Sequence, residues 1–378
     1  MKRTEMIQKY VFSLLVLCFC LIASAQSTRM EKKYDKSFPA NEGGRLDINN
    51  KYGEVIIRVW DRDSVRVMVN IEAAGKTSAT VQKNMERIDI TFRAVGDLIT
   101  ASTVVRKGSG FFKELMSEVD DYSKSIFGSN GLKVNYEVWI PEDFNLNVEN
   151  KFGNIYMADL SGKVSLYLAH GDLKANRLDG EVSIRQSFGK NNIDFIKDGT
   201  LTYRGVESRI GEAKVLKVES SSSELEIDDV TYVQLNSRND KIYITEADEI
   251  VGDGTFSDLT ADVVHNNVSL NFNYGDIYFR RIQQDFKSIS LVSKSADINL
   301  ILDQASYVLT NITADERKMI VPNSMLLLKK EMDEQSQQIT LSGFVGNTQS
   351  SYGELNIRSE GGEVIIAIKE LPLFSDKD

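Results

Sequence analysis

The chain has 378 residues, with 45 basic and 55 acidic side chains, two histidines and two cysteines. Its formal charge of −10 argues against the electrostatic footprint of a nucleic-acid or anionic-lipid binder. Two histidines and two cysteines are too few for a thiolate or imidazole metal centre.

The chain opens with Lys2 and Arg3, an apolar run over residues 11–22 and then Ala23-Ser24-Ala25. A charged start, a short apolar stretch and a small-x-small site predict a secretory signal over 1–25, with Gln26 as the mature start. The run is shorter than the roughly 20 residues a membrane span needs. Cys18 and Cys20 both lie inside it. Leu15-Val16-Leu17-Cys18 loosely fits a lipidation site, but cleavage there leaves Phe19-Cys20-Leu21-Ile22 as an apolar mature start. The expected mature chain therefore lacks cysteine and disulfides and resides in the periplasm or at the cell surface. Loss of Lys2, Arg3, Lys9 and Glu5 moves its charge from −10 to −12.

Residues 26–148 read as a β-rich section decorated with two short helices. Strand-like segments fall at 45–48, 55–59, 65–71, 88–92 and 134–140. Val81, Met85 and Ile88 give residues 78–86 helical spacing. A second helix is expected over 111–127, where Phe112, Leu115, Met116, Val119, Ile126 and Phe127 form one apolar stripe. Its acidic polar face suits packing over the end of a β stack better than lying on a membrane.

An aromatic-glycine pair then sets the architecture. It occurs at Tyr52-Gly53, Phe152-Gly153, Phe188-Gly189, Tyr274-Gly275 and Tyr352-Gly353, with His170-Gly171 as its imidazole version. Gly153, Gly171 and Gly189 are spaced by 18 residues. Between 149 and 302, short runs alternate apolar and polar residues, as in Val164-Ser165-Leu166-Tyr167-Leu168, and proline is absent from 142 to 321. Such patterning predicts half-buried strands, and a fixed short period predicts stacked repeats. The fold class expected is all-β: a β-solenoid of stacked β-strand repeats of about 18 residues. The glycines are expected to supply positive φ or a bulge at each corner, with the aromatics covering one another. Degraded corners fall due at Ser223 and at Asn239-Asp240, and residues 303–378 read as a C-terminal β cap.

Sites of chemistry are sparse. His170 sits in the corner series and His265 in a turn-like Val264-His265-Asn266-Asn267, 95 residues away. Ser220–Ser223 is a polar turn, and no Gly-x-Ser-x-Gly elbow occurs. Paired acids suited to a glycosidase or lyase are Asp228-Asp229, Asp258 and Asp262, with Asp172 and Asp276 following corner glycines. Strand-facing acids on an acidic solenoid read more simply as its solvated face. No cofactor or metal is expected.

Asn50-Lys51-Tyr52-Gly53-Glu54-Val55, Val59-Trp60-Asp61, Val138-Trp139-Ile140-Pro141, Asn150-Lys151-Phe152-Gly153 and Asp159-Leu160-Ser161-Gly162-Lys163-Val164 together carry a family resemblance. From about residue 37 to 370 the chain resembles the exported bacterial family labelled putative adhesins, a β-strand-repeat domain of unknown function related to toast-rack domains. The resemblance implies a stacked-β fold and export, and brings no catalytic residues. The resulting expectation is non-catalytic, adhesin-like binding of an envelope or extracellular protein or glycan. The alternatives are a periplasmic accessory or sensor in envelope-stress signalling and a carbohydrate-active β-helix enzyme.

Overall fold

The computed structural model describes residues 28–75, 77–106, 131–303, 306–333, 338–346 and 352–369. The expected signal over 1–25 and the expected helix over 111–127 lie outside them. The chain divides into two units, the smaller drawn from Met1–Lys33, Asn70–Asp89 and Val104–Val134, the larger from Tyr34–Val69, Ile90–Thr103 and Asn135–Asp378.

The smaller unit holds the helix Ser78–Glu86. Thr77 caps it, its hydroxyl accepting from the Thr80 N–H at 3.2 Å and so satisfying one orphan donor of the first turn. Val81 is its fully buried anchor. Beside it, the Ala74 N–H donates to the Gly131 carbonyl at 2.9 Å, and Asp89 pairs with Lys32 and Arg106.

The larger unit is a stack of parallel β coils. Alternation turns Val164, Leu166 and Leu168 inward and leaves Ser165 and Tyr167 outside. The strand Val164–Ala169 pairs in register with residues 146–151 on one side and 182–187 on the other, so Leu146, Val164 and Val182 stack as one inward column. One coil is thus 18 residues long here. Further on the ladder continues as Glu207, Glu224, Lys241 and Asp258, a period of 17. Each inward apolar side chain lies between like residues about 4.8 Å above and below, which gives the core its continuity.

Both ends of this stack depart from chain order. Near the start, Arg45–Lys51 lies between Leu98–Val105 and Asn145–Lys151, and Val55–Val59 lies between Leu132–Ile140 and Ile155–Met157. The stacked coils therefore begin at Arg45, not at residue 149 as the period alone suggests. Near the finish, Tyr352–Glu360 is inserted between Ser288–Asp303 and Tyr307–Asp315. Val364–Lys369 likewise separates Ser288–Asp303 from Met319–Ile320. Two antiparallel strands, Gln338–Gly346 and then Leu326–Asp333, extend the sheet beyond Tyr307–Asp315.

Candidate functional site

In each coil the chain turns at one residue in the left-handed backbone region. Tyr52, Phe152, His170 and Phe188 adopt φ of 66°, 60°, 53° and 58°. Gly205, Ser222 and Asn239 continue the column at 61°, 52° and 56°, followed by Phe256, Tyr274 and Ser295 at 54°, 63° and 57°. The positive φ expected of the glycine thus falls on the residue before it. A side chain at this φ costs about 1–2 kcal/mol relative to right-handed backbone. Ring stacking offsets it, at about 0.5–1.5 kcal/mol per pair. Tyr52 stacks on Phe152 at 5.8 Å and 8°, Phe152 on His170 at 5.2 Å and 3°, and His170 on Phe188 at 5.1 Å and 14°. Phe256 and Tyr274 stack at 4.8 Å and 6°.

The glycine that follows has a different reason to be glycine. A Cβ on Gly153 would lie 2.0 Å from the Gly53 carbonyl oxygen, and one on Gly171 2.1 Å from that of Gly153. Neither residue has positive φ, so close approach of one backbone to the next decides its identity. Gly189 and Gly275 combine both demands, with φ of 116° and 101° and a Cβ position 2.2 and 2.1 Å from the preceding coil's carbonyl oxygen.

Two residues before each corner lies an inward position that the sequence reading missed. Asn150 is fully buried there, and its Nδ2 donates to the carbonyls of Gly53 at 3.0 Å and Gly153 at 2.9 Å. Gln186 does the same to Gly171 and Lys190, each at 3.1 Å. The next coil has buried Tyr203 at this position, and in the two after it Ser220 and Ser237 converge on Asp240, which is 2% exposed. Its carboxylate accepts from the Ser220 and Ser237 hydroxyls at 2.7 Å, the Ser223 N–H at 2.7 Å and the Arg238 N–H at 3.0 Å. Four donors on one carboxylate compensate its burial without a cation. The signal was a polar residue at a fixed offset inside an otherwise apolar inward series.

Outside the same coils runs a groove of about 810 Å³. One wall carries Lys190, Glu207, Glu224, Lys241 and Asp258, each two residues past its corner. The other presents Arg209, Glu226, Tyr243 and Thr260. Lys190 pairs with Glu207 at 2.6 Å, and Arg209 reaches Glu226 at 3.8 Å and Asp228 at 3.4 Å. Tyr243 hydrogen-bonds Asp262, which Arg280 holds from the other side at 2.9 Å.

The acids weighed as catalytic candidates are dispersed. Asp228 and Asp262 are engaged as above, and Asp172 accepts the Lys190 N–H at 2.8 Å. Asp229 lies in register between Glu212 and Glu246. Burial, then Glu212, raises its carboxyl above the usual value. Asp258, Asp276 and Asp297 form another acidic series; Asp276 is likewise raised, first by burial and then by its two neighbours. His170 is a rung of the ring column, and His265 Nε2 sits 3.2 Å from Glu246. Among the described residues no three histidine, cysteine or acidic side chains are grouped as a metal site.

Tyr352-Gly353 is not a corner of this column. Residues 352–360 are extended strand, and a Cβ on Gly353 would meet the Phe286 ring and carbonyl. The corner that stacks on Ser295-Ala296 is Gly361-Gly362, where a Gly362 Cβ would lie 1.9 Å from the Ala296 oxygen. An aromatic-glycine pair marks a close approach in either setting, so the pair alone does not locate a turn.

A family model described as Toastrack DUF4097 matches residues 44–366. No curated protein matches the chain. Among solved structures, a putative adhesin from Parabacteroides distasonis is 10% identical, covering 71% of this chain and 97% of that one with a TM-score of 0.32. One from Parabacteroides merdae is 9% identical over 71% and 95%, TM-score 0.33. A putative cell adhesion protein from Clostridium sporogenes is 10% identical over 90% and 100%, TM-score 0.21.

Proposed function

Because the chain belongs to the Toastrack DUF4097 family, we propose that it is an exported, non-catalytic protein that offers the repetitive face of its stack to an envelope or extracellular partner. The supporting observation is the open groove on the coils from Lys190 to Thr260, whose side chains repeat once per coil. Such a surface suits a partner held at several equivalent points and not one reacting atom. Three of the six acids weighed for a glycosidase are engaged in structural contacts: Asp228 with Arg209, Asp262 with Tyr243 and Arg280, and Asp172 with a backbone N–H. Export rests on the leader-like residues 1–25, and no helix among the described residues is long and apolar enough to cross a membrane.

Protease shaving of intact cells tests the location. Loss of the protein from intact cells is the expected result for a surface binder. Protection until the outer membrane is opened would instead favour a periplasmic accessory or sensor of envelope stress. The non-catalytic reading fails if the purified protein releases reducing ends from a polysaccharide and loses that activity when Asp228 and Asp229 become Asn.

A further inference from the structure

We propose that the groove and the interrupted part of the ring column together bind an uncharged glycan chain laid along the stack, an assignment that rests on the non-catalytic binding role above. The coils that lack a corner ring, at Gly205, Ser222 and Asn239, are the middle three of the five coils that line the groove. The interruption is bounded by two rings that each stack on one neighbour only. Phe188 meets His170 on one face and is 43% exposed; Phe256 meets Tyr274 on one face and is 57% exposed. Four coil steps separate them, about 19 Å at the usual strand spacing. Between the two rings the floor is small and polar, with the Asn239 amide donating to the Ser222 hydroxyl.

The chemistry selects the ligand class. The wall of the groove mixes both signs, in the order Lys190, Glu207, Glu224, Lys241 and Asp258, so it offers hydrogen-bond donors and acceptors to hydroxyls along the coils without a strong net field for a polyion. Apolar ring faces at both ends and Tyr243 in the opposite wall suit the C–H faces of pyranose rings. A peptide added as an extra strand finds no free edge here, since residues 224–238 and 241–255 are paired on both sides. A nucleic acid finds too few cations.

The test uses the full mature chain and immobilised cellohexaose and N-acetylchitohexaose, with chitosan and heparin as charged controls, followed by calorimetry on each ligand retained. A neutral probe is expected to bind, and Phe188→Ala and Phe256→Ala each to weaken it at least tenfold. Ser222→Phe with Asn239→Phe fills two of the three ringless corners, because this backbone already carries Phe at 188 and 256. That pair is expected to abolish binding while the melting temperature holds. The assignment is overturned if only the charged controls bind, if neither neutral probe binds, or if binding survives both ring removal and gap filling. Saturable binding to intact cells by a protein that ignores both neutral probes would remove the glycan assignment alone. Failure on cells and probes together would remove the binding role as well.

Discussion

The coils turning at Tyr52, Phe152, His170 and Phe188 and those turning at Gly205, Ser222 and Asn239 share one left-handed corner and are both hydrogen-bonded from within, yet only the first set is also tied from outside. In the first set, rings outside the corner stack, glycine lets the backbones approach, and Asn150 and Gln186 bridge the coils from within. In the second the corners carry no ring of their own, and the coils are joined from within by Ser220, Ser237 and Ser223 around Asp240. The contrast separates two tasks, holding coils together and covering the corner. Where the interior hydrogen bonds do the first, the outside is free for a ligand.

The largest effect expected from breaking either arrangement is at Gly171. Its Cβ would collide with the Gly153 backbone, which cannot rotate away, so Gly171→Val should cost about 4 kcal/mol or prevent folding. Urea unfolding gives the number, and an unchanged midpoint would refute close approach as the reason for glycine. Next is Asp240→Ala, which strands the buried Ser220 hydroxyl and two N–H groups, leaves Ser237 with Ser257 alone, and should cost about 3 kcal/mol. Asp240→Asn, keeping one acceptor oxygen, should lose roughly half as much in the same assay. Removal of a ring is milder. Phe152→Ala loses stacking on Tyr52 and His170, for about 1.5 kcal/mol. Phe152→Gly should be less damaging, since glycine accepts φ of 60° without strain. If the alanine variant proves the more stable of the two, backbone strain at the corner is not real.

The smallest effect is electrostatic and depends on pH. Asp276 has a carboxyl raised by burial, Asp258 and Asp297, so the folded state binds its proton more tightly than the unfolded chain does. Stability from this group is therefore greatest below the ordinary carboxylate value and falls as pH rises through the raised one. Asp276→Asn should slightly raise the melting temperature at pH 7, and the difference from the parent protein should close on acidification. A variant less stable than the parent at pH 7 would reverse the assigned sign.

Much of this stack was legible because local chemistry repeats. The pairs at 152, 170, 188 and 274 announced corners, the drift at Ser223 and Asn239 fell where corners do fall, and the helix Ser78–Glu86 showed in its spacing. The role of the glycine was misread, since sequence cannot distinguish a residue that needs positive φ from one that needs no Cβ. Tyr352-Gly353 misled for the same reason. Insertion of Tyr352–Glu360 between earlier strands was invisible, because pairing across tens of residues leaves no period. At the other end there was a clue: Asn50-Lys51-Tyr52-Gly53 and Asn150-Lys151-Phe152-Gly153 differ at one residue, and they lie in register, one coil on the next. The Asp240 cluster went unread because serine and aspartate in a turn normally signal solvent.

The inserted strand at the C-terminal end also fixes a timetable. A chain made from its N-terminus delivers Tyr307–Asp315 before Tyr352–Glu360, the strand that separates it from Ser288–Asp303. Until Tyr352–Glu360 is made, the last complete coil ends in an open row of amides and an uncovered column of Ile289 and Leu291. The growing chain is thus most aggregation-prone at this stage, and one stopped after Gly346 would keep that edge for good. Residues 352–369 thus act as the latch that joins the coils to the strands made before them.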